Sequence, residues 1–460
     1  MKTLLRNKFL AIALPLIAFI GLALSSCTID ENLNNSPNAI NEAKVKSVDG
    51  LRGLMVGLQV AVADFYSGDR SRINSVIVYQ MCSPAGLGRP QPNAWNTIGW
   101  NEADNTAINW ETDGPTDDNW KIAYRGNKIA DDIIKYAPDV DFGSDAIRNS
   151  FLGIAKTYKA LLLGELAAMY GSIPISITGL EDPSFVDFAT AMAKVQTLLS
   201  ESLTHFAAAG AVKQDLNFGG DGPKWIAAVN SLRARYYLIS KDYANALTAT
   251  NSGMTAGSLN GIYTDNANEW SPWGHWTLSE AGEPLRGEKT FVDLLKAEAG
   301  DKRLEEYFIP NDGANYWGFA AHGQKGDSNE TKLSSLVSMK KYGAYGDDFP
   351  LISANENLLI QAECMARAGN AAGAVTNVNV IRKAAGLANF SGSTPAAIIT
   401  EVLKQKYLTL FLEGQSFYDA RRVGVLPSAT SPKRWVYPKS EKNANPNTPA
   451  DNNSLIQGAL

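Results

Sequence analysis

The chain has 460 residues, 45% hydrophobic and 19% charged, enough apolar content for one large or two ordinary globular cores, which excludes a disordered or collagen-like chain. With 42 Lys and Arg against 47 Asp and Glu the formal charge is -5, so the broad basic field of a nucleic-acid binder is missing and no nucleic-acid partner is expected. Three cysteines are too few for a disulfide scaffold or a Cys-rich zinc module, and a hydrophobic core must hold the fold.

Lys2, Arg6 and Lys8 precede an apolar run from Phe9 to Leu24, the pattern of a secretory signal. As a helix the run spans ~24 Å, short of the ~30 Å hydrocarbon core, so a permanent membrane helix is not expected. The sequence Leu24-Ser25-Ser26-Cys27 resembles a bacterial lipobox, which implies that residues 1–26 are cleaved and that Cys27 is acylated. Residues 27–43 read as a polar tether, and Asp30 and Glu31 resemble the acidic export signal of surface lipoproteins in Bacteroidetes. With Cys27 acylated, only Cys82 and Cys364 remain to pair, and the sequence leaves open whether they do.

From residue 44 onward the chain reads as a single, mainly helical domain. Val48, Leu51, Leu54, Met55, Leu58, Ala61, Val62 and Phe65 recur at three- and four-residue steps and predict an amphipathic helix over 47–66. The same period returns in Ile147, Phe151, Ile154, Tyr158 and Leu162, and in Trp225, Val229, Leu232, Tyr236 and Ile239. The stretches around Lys241-Asp242-Tyr243-Ala244 and from Leu358 to Ile381, with Ala362, Gly369, Asn370, Ala374 and Val378, look like tetratricopeptide (TPR) helical hairpins, because small residues let antiparallel helices approach closely. Four helix pairs are predicted, near 117–170, 186–240, 353–385 and 395–423, stacked so that they share one core; a non-repeating helical bundle is the alternative. Between them, 68–115 and 250–350 are rich in Gly, Pro, Asn and Trp and read as long functional loops, with a short strand or two near Ser334 to Lys340.

No phosphate-binding Gly-rich loop, His-Glu-x-x-His helix or Gly-x-Ser-x-Gly elbow is present, and His205, His275 and His322 lie in unlike contexts. Adjacent acids such as Asp117-Asp118 and Glu305-Glu306 do not supply the facing carboxyl pair that glycoside cleavage needs. Asp265, Asn266, Asn268 and Glu269 lack an EF-hand pattern and read as turn caps; no cofactor is expected, and a structural calcium ion is left open.

Several blocks spread along the chain resemble the SusD/RagB-like nutrient-binding lipoproteins of the Bacteroidetes outer membrane. They are the lipobox at Cys27, Tyr170-Gly171-Ser172-Ile173-Pro174 after a long helix, Asp301-Lys302-Arg303-Leu304 with Lys302 where Pro is usual, the TPR-like helix from Asn355, Tyr437-Pro438, and Glu413-Gly414-Gln415-Ser416-Phe417-Tyr418-Asp419-Ala420-Arg421-Arg422. The resemblance implies a mainly α fold in which TPR-like helical hairpins form a superhelix on one side, with an irregular, loop-rich ligand-facing region on the other, and no catalysis. It implies outer-membrane, cell-surface attachment through the lipid. It also implies a partner, a TonB-dependent SusC-like barrel over which the protein sits as a hinged lid, docked by its TPR face. Glu413, Asp419, Arg421 and Arg422 themselves read as the charged end of a helix, with Phe411 and Phe417 in the core and a Glu to Arg pair holding the turn.

A neutral sugar needs aromatic faces to stack on and short polar side chains to hydrogen-bond. Trp95, Trp100 and Trp110 share one loop stretch, and Trp270, Trp273, Trp276 and Trp317 share the other. Glu269 to Trp276 crowds three indoles around Pro272 and Gly274 and reads as a rigid aromatic loop. The candidate ligand contacts are therefore Trp95, Trp100, Asn93, Asn96, Trp270, Trp273, Trp276, Asn315, Tyr316 and Trp317, with Asp312 beside them; the alternative is that these indoles pack beneath the loops. Trp120 and Trp225 sit at helical spacing and belong to the core. The expected ligand is an oligosaccharide. Peptide capture on the same fold, a helical-scaffold glycosidase and a TPR scaffold that binds only proteins are the competing readings.

Overall fold

The computed structural model describes residues 42–82, 115–177, 182–278, 285–311, 313, 315–320, 325–326, 328–330, 336–427 and 431–450. The signal segment, Cys27, most of the tether, and Asn93, Trp95, Asn96, Trp100, Trp110 and Asp312 lie outside the described residues.

A turn of helix, Glu42–Val45, leads into α1 (Val48–Ser67). The Ser47 side chain accepts the Gly50 N–H at 3.0 Å and opens α1, while Leu51, Met55, Leu58, Val62 and Phe65 form its buried stripe. This is the helix read from the hydrophobic period. It packs on α3 (Pro115–Tyr136), which packs on α4 (Asp145–Tyr170). The series continues through α5 (Phe188–Phe206), α6 (Gly222–Ile239), α7 (Tyr243–Thr250), α11 (Ala354–Arg367), α12 (Ala371–Ala384) and α13 (Pro395–Thr409), each helix lying against the one before it. The last helix of the fourth expected pair, α14 (Gln415–Val423), turns inward onto α2 (Asp69–Ile77) and α6.

Small residues set the spacing of this array. On α4, a Cβ at Gly164 would lie 2.4 Å from the Tyr236 ring, and one at Gly153 would lie 2.8 Å from Phe206. Phe206 in turn stacks on Trp225, with centroids 5.1 Å apart and planes 4° apart. Trp225 and Trp120 are core residues, as their helical spacing predicts. In the α11–α12 hairpin, Gly369 (φ 84°) makes the turn, Asn370 caps α12, and Ala362, Ala366, Ala374 and Val378 pack with Ile398 and Val402 in their own cluster.

The stretches read as loops carry more regular structure than their composition suggests. Residues 69–77 form α2, and 250–350 contains α8 (Pro272–Leu278), α9 (Lys289–Lys296), α10 (Arg303–Tyr307) and several strands. β1 (Met81–Cys82), β3 (Arg286–Gly287), β5 (Ser338–Met339) and β4 (Phe308–Ile309) form an antiparallel sheet in that spatial order. β2 (Ser258–Gly261) pairs with β6 (Phe349–Ser353), Ser258 opposite Ser353, and Gly261 lets this ribbon press against Ala63 of α1. Cys82 and Cys364 are both buried and free.

A buried polar network joins α2, α4, α6, α11 and α14. Glu165 takes Arg70 Nε at 2.6 Å, the Tyr418 hydroxyl at 2.8 Å and the Tyr236 hydroxyl at 3.3 Å. Arg235 stands 3.6 Å from Glu165 and donates to Glu356 and to the Leu351 carbonyl at 2.6 Å each. The Arg70 guanidinium lies 3.7 Å from the centroid of the Tyr66 ring.

Candidate functional site

Residues 270–278 do not form the aromatic loop read from the sequence. They enter α8, a seven-residue helix with Pro272 in its first turn, where a missing N–H costs nothing. Gly274 is required by a close approach: a Cβ there would lie 2.2 Å from the Ala344 carbonyl oxygen. The Ser271 N–H donates to the Tyr345 carbonyl at 2.7 Å, which fastens α8 to the loop 340–348.

The three indoles of this segment have three different fates. Trp273 is 1% exposed, and its Nε1 donates to Ser71 Oγ on α2 at 3.0 Å, so it is a core residue with no face for a ligand. Its expected place in the site is corrected by that partner, which satisfies the indole N–H deep in the interior. Trp276 is half-buried, edge-on to Trp273 at 5.2 Å, with the Arg72 guanidinium 4.3 Å from its ring centroid. Trp270 stacks on Tyr345, centroids 4.0 Å apart and planes 15° apart, and His275 lies 5.9 Å away at 28°. Its Nε1 donates to the Asp265 carbonyl at 3.2 Å, which fixes the ring in its plane.

The result is a partly exposed slab, Tyr345–Trp270–His275, mounted on the core through Trp273. Rings held in such a stack lose little further ordering entropy on binding. Tyr345 and Arg72 were not singled out in the sequence, and His275 was read only as one of three scattered histidines. The Gly-flanked tyrosines of Tyr342-Gly343-Ala344-Tyr345-Gly346 are the signal that could have marked the first of them.

Trp317 is held by other elements. It bridges to Leu336, its carbonyl accepts the Val337 N–H at 2.9 Å, and Lys296 Nζ of α9 sits 5.3 Å from its ring centroid. Tyr316 packs partly against the core, and Asn315 is exposed. The turn at 264–269 is closed by its own side chains: the Thr264 hydroxyl donates to Glu269 at 2.6 Å, and Asn266 Oδ1 accepts the Asn268 N–H. Among the described residues no group of three His, Cys, Asp or Glu is placed to hold a metal ion.

With this geometry in place, the SusD-like family profile, described as starch-binding and associating with the outer membrane, matches residues 100–438, more than half of the chain. The chain belongs to the SusD-like family. Its fold is that of solved SusD-like structures. A SusD/RagB family protein from Bacteroides thetaiotaomicron superposes with a TM-score of 0.66 at 17% identity, over 86% of this chain and 94% of that one. A second SusD superfamily protein from the same organism gives 0.68 at 15% identity, over 87% and 98%. A protein named only as chitin-binding gives 0.63 at 17% identity, over 86% and 94%. No curated protein matches the chain in sequence. No described helix is long and apolar enough to cross a membrane.

The SusD-like blocks recognised in the sequence act as clamps. Asp301 holds Arg303 through Nε at 2.9 Å and a terminal nitrogen at 2.7 Å, and Arg303 reaches Thr409. Gly171 (φ 83°) ends α4, and the Tyr437 hydroxyl donates to the Ser172 carbonyl at 2.8 Å. Arg421 ties the Ala168 carbonyl at the end of α4 to the Lys433 carbonyl. The expected Glu to Arg pair is not formed: Glu413 pairs with Lys341, while Arg422 pairs with Asp419 and Glu363.

Proposed function

We propose that this SusD-like chain is a non-catalytic, lipid-anchored surface protein that captures an oligosaccharide and passes it to a TonB-dependent, SusC-like barrel in the outer membrane. The lipid is carried on Cys27 after removal of residues 1–26, and the TPR array is the docking face. The observation that carries the binding step is the Tyr345–Trp270–His275 slab, whose stacked rings present the flat apolar surface that a sugar face needs. Trp276 flanks it on α8. Asn93, Trp95, Asn96 and Trp100, together with Asn315, Tyr316 and Trp317, complete the proposed set of contacts. Family membership and the name of the chitin-binding structural relative support a glycan over a peptide.

The test is a glycan and peptide array probed with the purified chain, followed by calorimetry on the strongest ligand with Trp270→Ala. Binding to glycans that falls at least tenfold in the variant supports the reading. Binding confined to peptides, or release of reducing sugar, overturns it. Capture of the barrel is read separately, by co-purification of the full-length lipidated chain from outer membranes.

A further inference from the structure

We propose that the cleft between Tyr307, Tyr342 and Glu413 is a second binding pocket, one that takes a single neutral sugar unit apart from the aromatic slab. The inference rests on the glycan-capture reading and adds a site to it. The cleft has a volume of about 460 Å³ and lies where the β2–β6 ribbon meets the opening turn of α11 and the loop between α13 and α14. That volume falls within the ~300–1,000 Å³ range of small-molecule pockets.

Its chemistry is that of a ligand with hydroxyl groups and no net charge. Lys341 Nζ spends its donors on the Thr409 carbonyl (3.3 Å), the Phe411 carbonyl (3.1 Å) and Glu413 Oε1 (3.2 Å), so it has none left for an anion. The same Glu413 oxygen accepts the Tyr342 hydroxyl at 3.0 Å. Glu413 Oε2, the Ser258 hydroxyl and the Asn355 amide have no hydrogen-bond partner among the described residues, and all three side chains line the cleft. An acceptor, an amide and a hydroxyl lining one cleft match the hydroxyl groups of a pyranose, and the Tyr307 and Tyr342 rings, each with Lys341 Nζ 4.8 Å from its centroid, form the wall behind them. The Lys341–Glu413 charges cancel across the wall, which favours a neutral ligand; burial pushes the Lys341 ammonium down and the Glu413 carboxyl up, so the pair carries no excess field into the cleft.

The backbone supports the same assignment. Tyr342 holds φ at 57°, a left-handed conformation that glycine adopts freely and a bulky residue does not. The Tyr342 side chain walls the cleft and fixes Glu413 through its hydroxyl.

The experiment is saturation-transfer NMR on the full-length chain in detergent, with glucose, galactose, mannose and N-acetylglucosamine as probes and glucuronate as the charged control, alongside calorimetry with the oligosaccharide found on the array. Ser258→Ala with Asn355→Ala removes two groups that make no internal hydrogen bond, so the thermal midpoint stays unchanged. The expected result is that a neutral monosaccharide binds the wild type and Trp270→Ala alike, that glucuronate does not, and that the double variant binds the monosaccharide at least roughly tenfold more weakly, the loss of one to two hydrogen bonds. Monosaccharide binding unchanged in the double variant, or absent from the wild type, overturns the pocket. If the oligosaccharide is at the same time lost in Trp270→Ala, the capture reading stands without it. Monosaccharide binding lost only in the double variant, with no oligosaccharide bound by any form, keeps the pocket and overturns the slab.

Discussion

Glu165 in the last two turns of α4 and Arg70 on α2 meet with 2.6 Å between Oε2 and Nε, and both side chains are wholly buried. Tyr418 and Tyr236 hydroxyls complete the shell around Glu165. Removing one partner of such a pair leaves an uncompensated buried charge, and Glu165→Ala is expected to cost about 3–5 kcal/mol. Replacing both with apolar residues, Arg70→Met with Glu165→Leu, costs less than the single change. Urea denaturation of the three forms checks the order.

Trp273 and Trp270 lie three residues apart and separate stability from binding. Trp273→Ala opens a cavity in the core and removes the donor to Ser71 Oγ, for an expected loss of about 3–5 kcal/mol. Trp270→Ala removes one member of a partly exposed stack, an effect of about 1 kcal/mol. Thermal unfolding of both variants should show a large fall in midpoint for the first only.

Lys241 sits at φ 63° just past the end of α6, where its N–H donates to the Leu238 carbonyl, and its side chain is exposed. Left-handed backbone costs a lysine more than a glycine. Lys241→Gly is therefore expected to stabilise the protein by roughly 0.5–1 kcal/mol after the entropy of the freer unfolded chain is subtracted. Chemical denaturation measures the gain.

Hydrogen bonding from Arg382, and with it Lys404, holds the Glu298 carboxyl down at about 2 from an ordinary 4.5, against a smaller opposing effect of burial. A folded value below the unfolded one means that the stabilisation is fully present above pH 4.5 and is lost as the pH falls from 4.5 toward 2. Glu298 is only partly buried, so salt screens the cluster. Glu298→Gln should flatten the stability profile across that window, and added salt should shrink the difference between variant and wild type.

Burial pushes the Cys364 thiol up to about 12, and burial with the nearby Glu288 carboxylate raises Cys82 as well. Thiols so shifted present almost no thiolate at neutral pH. Iodoacetamide should leave both unmodified in the folded chain and label both after unfolding, read by mass spectrometry.

Periodic apolar spacing made α1, α4, α6 and the α11–α12 hairpin legible, because their burial repeats every three or four residues. The same rule hid α2, because Arg70, Ser71, Asn74 and Ser75 are buried beside Ile73, Val76 and Ile77 and break up the apolar stripe, with Arg70 and Asn74 finding partners at Glu165, Gly414 and Trp435 far along the chain. α8 was hidden by its Pro272 and Gly274, both suited to their places only because of what packs on them. The crowding of indoles marked the segment that carries the proposed slab, but not which ring is drawn into the core. Trp273 is withdrawn by Ser71, 202 residues away, and Trp270 gains its stacking partner from the loop at Tyr345. The true partner of Glu413, Lys341, is likewise set by the meeting of two distant loops.

The most direct measurement is calorimetric titration of the wild type and Trp270→Ala with the glycan that the array identifies. A stacking face worth about 1–2 kcal/mol predicts a wild-type affinity roughly five- to thirtyfold above that of a variant whose thermal midpoint is nearly intact. Equal affinities for the two proteins would contradict capture on this slab.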